Sequence, residues 1–384
     1  MNDPLKTCRR RFRSWENRVR LKGELERYET AFTARGLAIP DDSAIRLALQ
    51  NGFPGLRPKP KGALSIIAVY HHYNWEDTSL RPALERFGTV RRYDWFGEFN
   101  HARRDWRRSV KADMNRDLVV RIGQWVVGER PDVIFTYLSG ELVFPETVQA
   151  LRAYGAPMIH FSLNDKEHFV GKVRGGLAFG SRDICRFFDL CWTSTEDALK
   201  KYCVEGAIPL YLPEGANPEL HRPWEQEKTI DVSFVGQCYG KRPETIRRLG
   251  EAGIRVEAFG YGWPGGPLST EEMVRIYSRS RINLGFGGVE GHDETYCIKG
   301  RDFEIPMSGG LYLTEYHPEL ETVYDLGKEI VTYRGVDELA AKIRHLLANP
   351  DEVEAIRQAG FRRARKEHTW EMRFERVFTL MNLI

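Results

Sequence analysis

Lys299-Gly300-Arg301-Asp302-Phe303-Glu304-Ile305-Pro306-Met307-Ser308-Gly309-Gly310-Leu311-Tyr312-Leu313-Thr314 decides how the chain is read. It follows a glycine-rich run, Leu284-Gly285-Phe286-Gly287-Gly288-Val289-Glu290-Gly291. The pattern predicts a short helix stopped by the paired glycines, then a buried apolar strand. Lys299 and Arg301 suit phosphate oxygens, the arginine through its fork and the lysine as a point charge. Glu304, one helical turn beyond Arg301, could accept both hydroxyls of a ribose. Together these residues could hold a nucleoside diphosphate by both ends. The competing reading is an ordinary surface helix with solvated charges.

Around this stretch, strands alternate with helices. In the first half, strands are expected at 64–70, 89–93, 131–137, 157–161, 190–193 and 209–212, with a helix near 80–86. Their continuous apolar character suits parallel strands covered on both faces. A turn-rich segment at 212–223 precedes the strand Asp231-Val232-Ser233-Phe234-Val235-Gly236, the loop 237–242 and a helix over 243–249. A strand, a glycine turn and a helix N-terminus make an anion site, which singles out Gly236 and Arg242. The spaced glycine triplet of dinucleotide enzymes is missing, which disfavours a Rossmann oxidoreductase. Further strands are expected at 254–260 and 282–286, and Ser269 with Glu272 forms a capping box for the helix through Tyr277.

The 299–314 run, with Tyr316-His317-Pro318-Glu319-Leu320, Gly327-Lys328-Glu329-Ile330-Val331 and Glu367-His368-Thr369-Trp370-Glu371-Met372-Arg373, resembles the C-terminal half of GT-B glycosyltransferases. The likeness is to the bacterial CgeB-like and group 1 families, and it covers roughly the C-terminal two-fifths. It implies an α/β protein with two Rossmann-like parallel-sheet domains facing across a cleft. Expected boundaries are a basic helical extension over 1–61, an N-terminal acceptor domain over 62–223 and a donor domain over 230–384. The last helix of the donor domain would brace the first domain.

The same resemblance implies transfer of a sugar from a nucleotide-diphosphate sugar, the co-substrate, to an acceptor that the sequence leaves open. Gly236, Arg242, Lys299, Arg301 and Glu304 would bind the donor, and Glu304 matches the family's ribose-binding glutamate. Many retaining relatives carry another glutamate eight positions earlier; Tyr296 stands there, with Glu290, Asp293 and Glu294 nearby as substitutes. In the loop Ser162-Leu163-Asn164-Asp165-Lys166-Glu167-His168, Asp165 is the expected general base, with helix capping as its alternative role. His71 and His72, ending the first strand, are acceptor-side candidates or structural histidines. No DxD triplet follows a strand, so metal-independent transfer without a cofactor is expected. A nucleotide-sugar epimerase and a sugar-nucleotide-binding protein without turnover remain alternative readings.

The 384 residues, 42% of them apolar, can fill two cores. A net charge of +3 does not by itself call for nucleic acid. The six cysteines lack CxxC spacing and do not cluster with histidines, which argues against a zinc site or disulfide framework and for reduced thiols in a cytoplasm. No apolar run spans a bilayer, and the basic N-terminus is not a signal peptide. Arg9 to Lys22, with Phe12, Trp15 and Val19 at helical spacing, reads either as a helix packed on the first domain or as one contacting an anionic membrane or nucleic acid. The basic, aromatic segment 99–108 is either an anion-binding surface or a solvated helix face.

Overall fold

The computed structural model describes residues 4–289 and 292–384, with the side chains of 4–11, 13, 293 and 294 outside the description. The chain divides into two compact units. One comprises Lys22–Pro213 with Arg373–Ile384; the other comprises Glu214–Met372 with the residues up to Leu21.

The first unit holds a six-stranded sheet in which every neighbouring pair is parallel. Its strands are β1 (Leu64–Val69), β2 (Gly88–Tyr93), β3 (Val133–Thr136), β4 (Met158–Ser162), β5 (Leu190–Thr193) and β6 (Pro209–Tyr211), in the order 2-1-3-4-5-6. Ile66, Ile67, Ala68 and Val69 are all buried, as a strand covered on both faces requires. Strand order reverses between β1 and β3, which sets ligand-binding loops at the carboxyl ends of those strands.

The segment 1–61, expected as an extension, is partly integral to this unit. Helix α1 spans Pro4–Ala34 and α2 spans Asp42–Gly52. Glu24 of α1 pairs with Lys201 at 2.8 Å with both side chains buried, and Tyr28 donates to Glu205 at 2.6 Å. Ile45 and Leu49 of α2 are buried. The final residues also join this unit: Phe374 packs against Phe135 and Trp192, and Phe378 meets Phe87 edge-on at 5.1 Å.

The second unit holds a five-stranded parallel sheet of β7 (Ile230–Val235), β8 (Glu257–Phe259), β9 (Ser280–Leu284), β10 (Tyr312–Glu315) and β11 (Val331–Tyr333), in the order 8-7-9-10-11. Its order reverses between β7 and β9. Three helices matter to the site: α3 (Arg242–Glu251), α4 (Thr270–Arg279) and α5 (Gly300–Met307). The capping box on α4 is formed, with the Glu272 N–H donating to Ser269 Oγ and the Ser269 N–H to Glu272 Oε2 at 2.8 Å. β8 is shorter than the expected 254–260, because the Ile254 N–H closes the end of α3 on Leu249 O at 2.9 Å.

This unit starts at Glu214, earlier than the expected boundary between 223 and 230. The cause is a backbone clasp within it. The Ala216 N–H donates to His368 O at 2.9 Å, and the Trp370 N–H returns to Ala216 O at 3.1 Å. Trp370 opens the last helix, α6 (Trp370–Leu380).

Candidate active site residues in each unit

In the second unit, β7 runs into Gly236 and the following loop opens α3. A Cβ on Gly236 would lie 2.8 Å from Phe234 Cζ, 3.2 Å from Arg301 Nη1 and 3.5 Å from Arg242 Nη1. Glycine is needed there because a ring and two guanidinium groups crowd the backbone. Arg242 is buried, its Nη1 donates to Gln237 O at 3.0 Å, and its guanidinium lies 3.9 Å over the Tyr239 ring. Its Nη2 is buried with no hydrogen-bond partner. Burial, and secondly the charge of Arg301, push its pKa down to about 10. Two cations held together at a strand end with a donor unspent are a strong pull for an anion.

Helix α5 brings Lys299, Arg301 and Glu304 to the same end of the sheet. Asp302, which sequence reading passed over, fixes that helix start. It is buried and accepts from the Lys299 N–H and from the Tyr312 hydroxyl, both at 2.7 Å. A carboxylate there satisfies an orphan N–H of the first turn and complements the helix dipole.

Glu304 has an unforeseen companion. From the position a Cβ would take on Gly300, Glu304 Oε1 lies 3.0 Å away and Glu214 Oε2 3.4 Å away. Burial raises the Glu304 carboxyl to about 7, against the lowering pull of Arg301. Burial and then Glu304 raise the Glu214 carboxyl to about 8. His221 closes the group. Its Nδ1 accepts from the Asn217 N–H at 3.1 Å, so Nε2 carries the hydrogen and faces Glu304 Oε1 at 3.9 Å. Burial lowers the pKa of His221 to about 4, which keeps it neutral. Glu214 sits in a turn-rich segment, where no periodicity marks a residue's direction.

Tyr296, expected from the resemblance to stand at a glutamate position, donates to Glu315 Oε1 at 3.2 Å. A carboxylate is thus present beside that position, supplied by the end of β10. Glu290 lies outside the described residues, as do the side chains of Asp293 and Glu294. Tyr239, Arg242, Phe286, Tyr296 and Glu315 line one cleft.

In the first unit, the expected base is not free for that work. Asp165 is buried and accepts four hydroxyl hydrogen bonds: Ser162 at 2.8 Å and Ser181 at 2.9 Å on Oδ1, and Thr193 and Tyr202 at 2.7 Å on Oδ2. A carboxylate so saturated has no acceptor site left for a substrate proton. It ties β4, β5 and neighbouring elements together. The family resemblance that singled out Asp165 carries no information on these four hydroxyl partners.

His71 is better placed. It leaves the carboxyl end of β1, and its Nδ1 lies 2.9 Å from Asp94 Oδ1, just beyond β2. Asp94 also accepts the Phe96 N–H at 3.0 Å, which fixes the carboxylate. Phe96 stacks on the imidazole at 4.2 Å and Tyr73 meets it edge-on at 4.6 Å. Because the carboxylate only accepts, Nδ1 carries the hydrogen and Nε2 is left as a base. His72 is engaged otherwise, accepting the Asp77 N–H at 3.3 Å and lying 3.5 Å from Glu76. In the basic segment 99–108, two of the four arginines are in ion pairs, Arg103 with Asp105 at 2.7 Å and Arg107 with Glu141 at 2.6 Å, while Trp106 is buried.

Among the described residues, no histidine, cysteine and carboxylate cluster suits a metal ion, five cysteines are free, and no helix is long and apolar enough to cross a membrane.

Residues 242–379 match the family described as glycosyl transferase-like, covering α3 to the last helix and with them Arg242, Lys299, Arg301 and Glu304. Solved structures extend the likeness over both units. Sucrose-phosphate synthase from Thermosynechococcus elongatus shares 11% identity at a TM-score of 0.60, over 83% of this chain and 98% of that one. A glycosyltransferase from Rickettsia africae shares 10% identity at 0.57, over 84% and 99%. HepE from Anabaena, solved with UDP-glucose, shares 9% identity at 0.54, over 83% and 100%. No curated protein sequence matches the chain. At such identities the structures establish the fold. It is GT-B, with two Rossmann-like parallel-sheet domains.

Proposed function

We propose that the protein transfers a glycosyl group from a nucleoside diphosphate sugar to a hydroxyl acceptor. The observation that carries this reading is the convergence of Arg242 and Arg301 on Gly236 at the carboxyl end of β7, with one guanidinium nitrogen buried and unpartnered. The α5 stretch and the family match over 242–379 support it.

In this reading Arg242, Arg301 and Lys299 take the diphosphate oxygens, and Glu304 takes the ribose hydroxyls. Glu315, beside Tyr296, is the carboxylate available to a hydroxyl of the donor sugar. The acceptor oxygen attacks the anomeric carbon, and the bond from that carbon to the diphosphate oxygen breaks. The bonding electron pair leaves with the nucleoside diphosphate. The arginines and the first N–H groups of α5 stabilise that departing charge without requiring a metal. The acceptor proton goes to Nε2 of His71, and Asp94 stabilises the imidazolium that results. This replaces Asp165 as the base.

The test is a thermal-shift screen of nucleotide sugars, followed by measurement of nucleoside diphosphate release with candidate acceptors. A ligand that binds only the folded chain at a hundred times its Kd should add about 2.7 kcal/mol of stability. Stabilisation without release under any acceptor would support a binding protein; no stabilisation by any nucleotide sugar would refute the donor site.

A further inference from the structure

Helix α1 turns polar residues inward and large apolar ones outward. Ser14 and Glu24 are buried, whereas Phe12, Trp15 and Val19 are 58%, 52% and 51% exposed. Spacings of three and four residues place those three on one stripe, and the Phe12 and Trp15 rings lie 5.9 Å apart. Arg18, Arg20 and Lys22 are exposed. At 100° per residue, Arg18 and Lys22 fall on one flank of the stripe and Arg20 on the other. The sequence adds Arg9, Arg10, Arg11 and Arg13, so residues 9–22 contain seven cations and a single carboxylate, Glu16.

We propose that residues 9–22 dock α1 on the surface of an anionic lipid bilayer. An apolar stripe flanked by long cations lets the rings enter the acyl boundary while the charged ends rise to headgroup phosphates. A nucleic acid would meet cations along the middle of the face, where Phe12, Trp15 and Val19 lie instead. A second copy would bring Arg18, Arg20 and Lys22 against the same three cations, a repulsion with only Glu16 to offset it. The helix lies on the membrane and does not span it. The docking is independent of the sugar-nucleotide reading.

The experiment is flotation of the full-length protein with vesicles of phosphatidylcholine, with and without about 30% phosphatidylglycerol. The anionic vesicles should carry about tenfold more protein, and about 0.5 M salt should reduce that fraction. Phe12→Ser with Trp15→Ser should bring binding to the neutral-vesicle level without lowering the thermal midpoint, since both side chains are exposed. Arg18→Gln with Lys22→Gln should weaken binding while leaving the apolar stripe intact. Equal flotation with both vesicle types, or undiminished flotation of the Phe12/Trp15 variant, would overturn the proposal. So would a single-stranded oligonucleotide that binds wild type and that variant alike and displaces the vesicles. A dimer in sedimentation that the same substitutions dissolve would assign the face to a second copy instead.

Discussion

Glu304 and Glu214 lean on the same glycine, their nearest carboxylate oxygens 3.0 and 3.4 Å from the position of a Cβ on Gly300. The pair lies beside Lys299 and Arg301, and within 3.9 Å of Glu304 stands a neutral histidine. With the carboxyls raised to about 7 and about 8, Glu304 ionises first, and near neutral pH Glu214 keeps its proton. One glutamate then accepts hydrogen bonds while the other can donate.

That arrangement makes stability depend on pH in a defined direction. An unfolded glutamate ionises near its usual value of about 4.3, whereas the folded carboxyls hold their protons to about 7 and 8. Between those limits the folded state binds more protons, so the pair's contribution to stability falls as pH rises and levels off above about 8. Glu214→Gln removes the most raised of the two. It should stabilise the protein relative to wild type at pH 8.5, by about 1–3 kcal/mol, and make little difference at pH 4. Urea titrations at the two pH values measure this. An equal effect at both would mean that Glu214 is not held protonated.

The arginine pair predicts a phosphate-specific loss. Arg301→Ala should weaken binding of a nucleoside diphosphate by about 1–3 kcal/mol, the range for charged hydrogen bonds. Arg242→Ala should cost a similar amount, and Lys299→Ala the lower end of it. The corresponding nucleoside, without phosphates, should bind each variant as it binds wild type. Calorimetric titration with both ligands checks this; equal losses for both would indicate a local folding defect.

Much of this architecture was legible in the sequence, and the reasons are local. The apolar run through Val69 and the strand ending at Val235 announce parallel strands by composition alone. Arg301 and Glu304 are one turn apart, so a short helix is enough to align them. Glu214 and Glu304 are ninety residues apart in the chain, and only the clasp of Ala216 on His368 and Trp370 carries Glu214 to that site. Asp94 likewise comes to His71 through the pairing of β1 with β2, which matches Val69 to Tyr93. The surroundings of Asp165 were not legible, because its four hydroxyl donors from 162, 181, 193 and 202 meet only in the folded unit.

Asp165 and His71 should separate cleanly in mutants. Asp165→Asn replaces two acceptor oxygens by one and sets an amide against buried hydroxyls. It should cost about 2–4 kcal/mol of stability while leaving the turnover of the remaining folded protein near wild type. His71→Asn should leave stability within about 1 kcal/mol of wild type but lower kcat by about 100-fold or more, with donor affinity unchanged. Asp94→Asn should lower kcat as well, because the amide no longer stabilises an imidazolium. Denaturation curves and steady-state rates on the same preparations test the contrast. A large kcat loss in folded Asp165→Asn, with His71→Asn fully active, would restore the aspartate as the base.

Glu304→Gln distinguishes a donor-binding glutamate from a merely buried one. The carboxylate can accept two ribose hydroxyls at once, and glutamine keeps the shape while losing half of the acceptor capacity and the charge. A ribonucleotide donor should therefore bind the variant about tenfold or more weakly at pH 8, where wild-type Glu304 is ionised. The 2′-deoxy counterpart should lose less, since one of its two donors is already gone. Below the carboxyl's value of about 7, wild type progressively loses charged acceptance, so its advantage over Glu304→Gln should shrink as pH falls from 8 to 6. A structural role alone would alter stability with the same pH sense but would leave the ribose and deoxyribose ligands equally affected. Paired titrations of both ligands against both proteins at pH 6 and 8 make the comparison. Equal affinity of wild type and Glu304→Gln for the ribonucleotide at pH 8 would take Glu304 out of the donor site and leave the two arginines as its support.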